Sequence, residues 1–143
     1  MAITSAICNS FKQEILEAEH NFTASTGDTF NLALYDSDAT LSKSTTAYTT
    51  SEELATTGGY TAKGKALTSV TPVLSTDTAI CDFANISWTS ASFTARGCLI
   101  FNDDNSDTSV CAIDFGGDKT VTSGTFTIEF PAAAASTAII QIA

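Results

Sequence analysis

Three groups of side chains in this chain are of types that do chemistry. The first is the acidic run Asp103-Asp104-Asn105-Ser106-Asp107, with Asp114 further on. Counted from Asp103, oxygen-bearing residues fall at positions 1, 3 and 5 and a carboxylate at 12, which is the ligand spacing of a calcium loop. Asp103, Asn105 and Asp107 are therefore candidate ligands for a hard cation. Position 6 is Thr108 where that loop turns on glycine, and the flanks alternate like strands where it stands between helices. Those two departures favour a solvated hairpin tip over a metal site.

The second group is His20, the single imidazole, which a Ser or Cys nucleophile would require as its base. It follows the one helical segment, where an imidazolium meets the negative end of the helix dipole, so a structural role is expected. The third group is the thiols Cys8, Cys81, Cys98 and Cys111. They show no Cys-x-x-Cys pair and no neighbouring His. The last three lie inside apolar runs, which reads as small buried hydrophobes rather than ligands or a disulfide.

Other motifs carry less. Asp114-Phe115-Gly116 spells the metal-binding tripeptide of kinases, but no Gly-rich loop, strand lysine or catalytic loop accompanies it. Glu52/Glu53 and Asp103/Asp104 are carboxylate neighbours on loops, where such pairs are solvated. Gly-x-Ser-x-Gly, His-Glu-x-x-His and Gly-x-Gly-x-x-Gly are all absent from the sequence. No catalytic residues and no cofactor are expected, and the chain is read as a non-enzyme. Asn21-Phe22-Thr23 and Asn85-Ile86-Ser87 match glycosylation sequons, which mean nothing without a secretory signal. Trp88 suits either a core or, with Tyr48 and Tyr60, an exposed platform that stacks on sugar.

Composition narrows the partners. The chain has 143 residues with 6 basic and 16 acidic side chains, net −10, and a pI near 4.1. Phosphate backbones and anionic membranes both repel such a protein, so neither nucleic acid nor membrane is an expected partner. Only 15% of residues are charged, well below the usual quarter, and Thr, Ser and Ala fill the difference. A hydroxyl-rich surface suits packing among copies or partners, since hydroxyls are easier to desolvate than charges; Thr also simply favours strands. The sequence shows neither a basic start followed by an apolar core nor an apolar run of about eighteen residues, so assembly in a cytoplasm is expected.

The elements that must hold these groups are one helix and many short strands. Ile7, Phe11, Ile15 and Ala18 recur at helical spacing and predict a helix over residues 5–19, with Ser5 as its N-cap. Residues 29–35 alternate, with Phe30, Leu32 and Leu34 facing inward. Residues 39–66 read as a long loop with a short edge strand and one helical turn near Ser51, and long loops on compact domains often make contacts. Further strands are expected over 66–71, 78–83, 86–89, 93–101, 109–115, 124–130 and 137–142, with turns at Gly116-Gly117-Asp118-Lys119 and Thr122-Ser123-Gly124. The expected fold is a single mainly β domain over 1–143, an antiparallel β-sandwich of about eight strands, jelly-roll-like, spanning 29–143 with the N-terminal α-helix packed on it.

Several stretches carry a family resemblance in order along the chain. They are Met1-Ala2-Ile3-Thr4-Ser5-Ala6-Ile7-Cys8-Asn9-Ser10-Phe11-Lys12-Gln13-Glu14, His20-Asn21-Phe22-Thr23 and Phe30-Asn31-Leu32-Ala33-Leu34-Tyr35. They continue in Ala95-Arg96-Gly97, Asp114-Phe115-Gly116-Gly117-Asp118-Lys119 and Phe130-Pro131-Ala132-Ala133. Together they resemble a family of small virion structural proteins of tailed bacteriophages, notably aquatic and cyanobacterial ones. The resemblance implies a capsid decoration (cement) protein in the virion, with the major capsid protein and its own copies, as a homotrimer, for partners. A tail or baseplate component and a glycan-binding host-recognition module are the alternatives. Glu52, Glu53, Tyr60 and Lys63 in the 50–65 loop and Asp104 at the acidic tip are the candidate partner contacts.

Overall fold

A computed structural model describes residues 2–143, so of the expected domain only Met1 lies outside the described residues. The order is β1 (Ala6–Ile7), α1 (Asn9–Leu16), β2 (Phe30–Tyr35), β3 (Lys65–Ala66), β4 (Ser69–Ser75), β5 (Thr78–Phe83), β6 (Ile86–Asn102), β7 (Thr108–Ile128) and β8 (Ile140–Ile142). One sheet has the order β1-β7-β6-β2-β3 and the other β4-β5-β8, with every strand pair antiparallel. The fold is mainly β, an antiparallel sandwich with one short N-terminal helix, as the alternation predicts.

The four short strands expected over 86–130 are in fact two long ones. β6 and β7 pair from Asn102–Thr108 at the hairpin end to Ile86–Ile128. The turn chemistry between the expected strands is spent on bulges instead. The register jumps from Gly97–Asp114 to Ala95–Lys119, with Gly116 at φ +79°, and from Phe93–Val121 to Ala91–Gly124, with Ser123 at φ +46°. Extra residues on one strand kink it without ending the ladder.

The helix is shorter than predicted. Ala6 and Ile7 are claimed by β1, pairing with Ala112 and Cys111, and the Ser5 hydroxyl accepts the Asp114 N–H at 2.8 Å rather than capping. Cys8 stands at the N-cap and contributes no side-chain capping bond. At the other end Glu19 N–H reaches Glu14 O and Ala18 N–H reaches Ile15 O, a Schellman closure with Ala18 at φ +61°. Phe11 is buried and Ile15 packs against the core, while Leu16 is exposed.

The large sheet is covered on both faces. Phe30, Leu32 and Leu34 face the main core with Phe22, Tyr60, Phe83, Trp88 and Ile100. Ala33 and Tyr35 are also buried, on the opposite face, under Ile3, Ala39 and Leu41. The 36–64 loop provides that cover, held by Thr4 N–H to Leu41 O and Leu41 N–H to Ala2 O. Residues 51–54 form a turn and no helix. Where the loop returns to β2, Gly64 at φ +68° lies so close that a Cβ would sit 1.8 Å from Leu32 O. The strands expected at 66–71 and 137–142 begin later, at Ser69 and Ile140.

Two measurements follow from these contacts. Ala18 is exposed in a conformation that glycine adopts freely, so Ala18→Gly is expected to raise stability by about 1 kcal/mol in urea unfolding; an unchanged or lowered midpoint would contradict the Schellman closure. The four cysteines are buried free thiols, and burial pushes Cys81 and Cys111 up to about 12. The folded chain keeps these protons where the unfolded chain has lost them. Their stabilisation is therefore complete below the ordinary thiol range and is lost as pH rises toward 12. A thiol reagent at about pH 8 should find no reactive cysteine in the native protein and four in urea, and the unfolding midpoint should fall steadily above about pH 9.

Candidate functional site

The groups capable of chemistry gather first at the tip of the β6–β7 hairpin, where the 36–64 loop lies beside it. Lys63 Nζ stands 3.1 Å from Asp103 and 2.9 Å from Asp107, and these carboxylates, Asp107 foremost, hold the amine above its ordinary range. An ammonium thus occupies the position between two of the three candidate cation ligands, Asp103 and Asp107. Asn105 turns elsewhere, donating to the Glu19 carbonyl at 2.8 Å and carboxylate at 2.7 Å. Asp104 accepts the Thr29 N–H at 2.6 Å. Asp114 lies along β7, where the Gly116 N–H and then Arg96 hold its carboxyl below the usual range.

Behind the tip, Glu53 is a hub. Its carboxylate accepts the Tyr48 hydroxyl, the Tyr60 hydroxyl at 2.6 Å and the Lys63 N–H at 2.7 Å. Tyr60 also accepts the Leu34 N–H at 3.0 Å, so one phenol ties the loop to β2. Desolvation, and after it the bond to Glu53, holds both phenols above their ordinary range. Tyr60 is 2% exposed, which corrects its reading as a surface contact. Glu53 and Lys63 are bonded within the chain, Lys63 with its side chain still 45% exposed; Glu52 and Asp104 are exposed. Glu52 meets Asp36 and Asp38, the one acidic trio among the described residues whose ligand oxygens all lie within 4.8 Å of one another. Only loop closure brings Glu52 there, so no sequence spacing announced it.

Nor are the aromatic platforms displayed. Trp88 is 2% exposed, packed against Tyr60, Phe93 and Phe126. Tyr48 lies half-buried on Phe101 at 4.9 Å between ring centroids. His20 has both nitrogens taken, Nε2 by Glu14 at 2.7 Å and Nδ1 by Asn102 at 3.1 Å.

The second place is apolar. β4 carries no charge and is exposed along most of its length on both faces, with Val70, Val73 and Leu74 open to solvent. The register sets Leu74, Ala79 and Ile142 side by side across β4, β5 and β8. Leu74 is 74% exposed, Ile142 is also exposed, and Leu16 on α1 is 88% exposed. Ile15, Pro72 and Ile140 line a shallow apolar groove between the helix and this sheet. Pro72 and a bulge between Val70 and Val73 blunt the β4 edge against pairing with another strand, leaving its side chains as the surface on offer. The sequence signal was an uncharged run from Ala66 to Thr76, bounded by Lys65 and Asp77.

No family model, no curated protein and no solved structure matches this chain.

The Glu53 hub makes a direct forecast. Tyr60→Phe leaves the buried Leu34 N–H without its acceptor and should cost about 1–3 kcal/mol, while Tyr48→Phe, at a half-exposed site, should cost less. Equal losses in urea unfolding would show that Tyr60 does not anchor the loop.

Proposed function

We propose that this protein is a structural component of a tailed-phage virion, a decoration (cement) protein that binds the head shell. The observation that carries the proposal is the exposed apolar surface of the β4-β5-β8 sheet, uncharged along β4 and β8 with Asp82 as the one charge on β5. Strongly exposed Leu74 and Ile142 lie side by side there across Ala79, on a chain whose Glu53, Tyr60 and Lys63 side chains are bonded within the protein. Large apolar side chains gathered at one surface mark an interaction site more often than chance. The net charge of −10 keeps the free protein soluble while it carries that surface. The family resemblance along the chain supplies the shell as partner and a homotrimer as the assembled form.

No bond need be made or broken in such a role. A protein that binds only the expanded lattice stabilises it by mass action, in proportion to how far its concentration exceeds the dissociation constant. Many copies, symmetrically arranged, turn a modest contact into a firm one. The contact moves from the 50–65 loop and the acidic tip, where Glu53, Tyr60 and Lys63 serve the fold, to the β4-β5-β8 sheet.

Co-sedimentation with purified expanded heads and with purified tails tests this. Wild-type protein is expected to pellet with heads in many copies. Leu74→Asp, which exchanges about 2 kcal/mol of apolar burial for a desolvated charge, should weaken binding more than tenfold while unfolding normally in urea. Binding to tails alone would transfer the protein to the tail, and binding to neither would remove the virion role.

A further inference from the structure

β7 does not run straight. Phe115 and Phe126 are eleven residues apart, which in an extended strand spans about 36 Å. Their ring centroids lie 6.2 Å apart. The bulges between them, with Gly116 at φ +79° and Ser123 at φ +46°, fold the strand back on itself. β1 meets β7 only at Cys111 and Ala112, so beyond Ala112 the outer edge of β7 has no partner strand among the described residues. The fold-back encloses an open groove of about 560 Å³, lined entirely by β7 and Glu129.

The groove has an aromatic floor and a polar rim. Phe115 and Phe126 are half-buried, and Phe126 is fixed by Phe93 at 5.1 Å and Trp88 at 6.1 Å between centroids. Lys119, Thr125 and Glu129 are exposed beside them. Neither Lys119 nor Glu129 enters an ion pair among the described residues, whereas Asp118 in the same lining lies 3.5 Å from Arg96. The groove thus offers an unpaired ammonium that donates, an unpaired carboxylate that accepts and a hydroxyl that does both.

We propose that this groove binds a neutral carbohydrate chain. A sugar ring carries C–H bonds on its faces and hydroxyls around its edge, so it matches an aromatic floor with a polar rim. Each sugar hydroxyl both donates and accepts, and so serves Lys119 and Glu129 alike without leaving either covered and unpaired. A polyanion is repelled by the net charge of −10 and by Asp118 and Glu129 in the lining. A purely apolar ligand would cover both charges and satisfy neither. A peptide strand adding to the open edge needs that edge straight, and the fold-back removes it. The volume is that of a small-ligand site, and an open groove admits a short stretch of a longer chain. None of these residues lies on β4, β5 or β8, so the site stands apart from the proposed head contact.

NMR titration of the full chain with cello-, laminari-, malto-, manno-, xylo- and chitohexaose tests the site. At least one should shift the amides of Phe115, Lys119, Thr125, Phe126 and Glu129 together, saturably and without loss at high salt. Lys119→Ala and Glu129→Gln, at exposed and unpaired positions, should unfold in urea as the wild type does and each weaken that binding about fivefold. Phe115→Leu, which keeps apolar bulk and removes the ring, should weaken it further. All three variants should still pellet with heads, which separates this site from the head contact. Four results would overturn the proposal: silence across the six oligomers, shifts that map away from β7, binding left intact in both charge variants, or a preference for a sulfated or uronate polymer that salt abolishes.

Discussion

The ladder between β6 and β7 is the interaction on which the rest of this structure depends. It runs from Asn102–Thr108 to Ile86–Ile128, and the large sheet is assembled on its two outer edges, β2 along β6 and β1 against β7. Its bulges set the course of the hairpin, because each extra residue, on β7 or on β6 between Trp88 and Ala91, increases the local twist. Its hairpin end supplies Asn102 and the acidic tip, and its opposite end sets Trp88 against Phe93 and Phe126. Weakening this pairing would disturb both faces of the sheet at once.

A second constraint follows from burying β2 on both faces. A strand with Phe30, Leu32 and Leu34 on one side and Ala33 and Tyr35 on the other needs a cover on the far side. The long 36–64 segment is that cover, which explains its lack of regular structure: its polar groups are satisfied by side chains and by β2 rather than by a ladder. Glu53 gathers two phenols and a backbone N–H, Tyr35 donates to Thr49 O, and Gly64 lets the chain close against Leu32. The acidic tip is held in the same way by Lys63, Asn105 and the Thr29 N–H. Chemical groups that catch the eye in the sequence are thus mostly mortar. The uncharged β4 pairs with β5 alone and leaves Val70, Val73 and Leu74 open to solvent, and it carries the proposed contact.

Much of this was legible in the residues. Alternation found β2 with its inward set, β5 residue for residue, and the hairpin tip at 103–107, because a half-buried strand writes its period into the sequence. The apolar settings of Cys81, Cys98 and Cys111 predicted their burial. The contact candidates read less well. Tyr60 and Glu53 look like surface loop residues, and only the return of the loop onto β2 puts one in the core and the other beneath it.

What the sequence determined by itself was the class of fold, since period-2 alternation broken by Gly, Asn and Asp permits strands and little else. It also settled which residues were apolar enough to form a core. Tertiary structure decided what each turn signal meant. Gly116-Gly117 and Ser123 became bulges because a long partner strand, β6, was there to continue the ladder past them. It also decided that helical residues Ala6 and Ile7 would be a strand, because β7 offered an open edge at Cys111 and Ala112. Local periodicity records which faces are buried, and it holds no record of which distant edge, carboxylate or amine arrives to bury them.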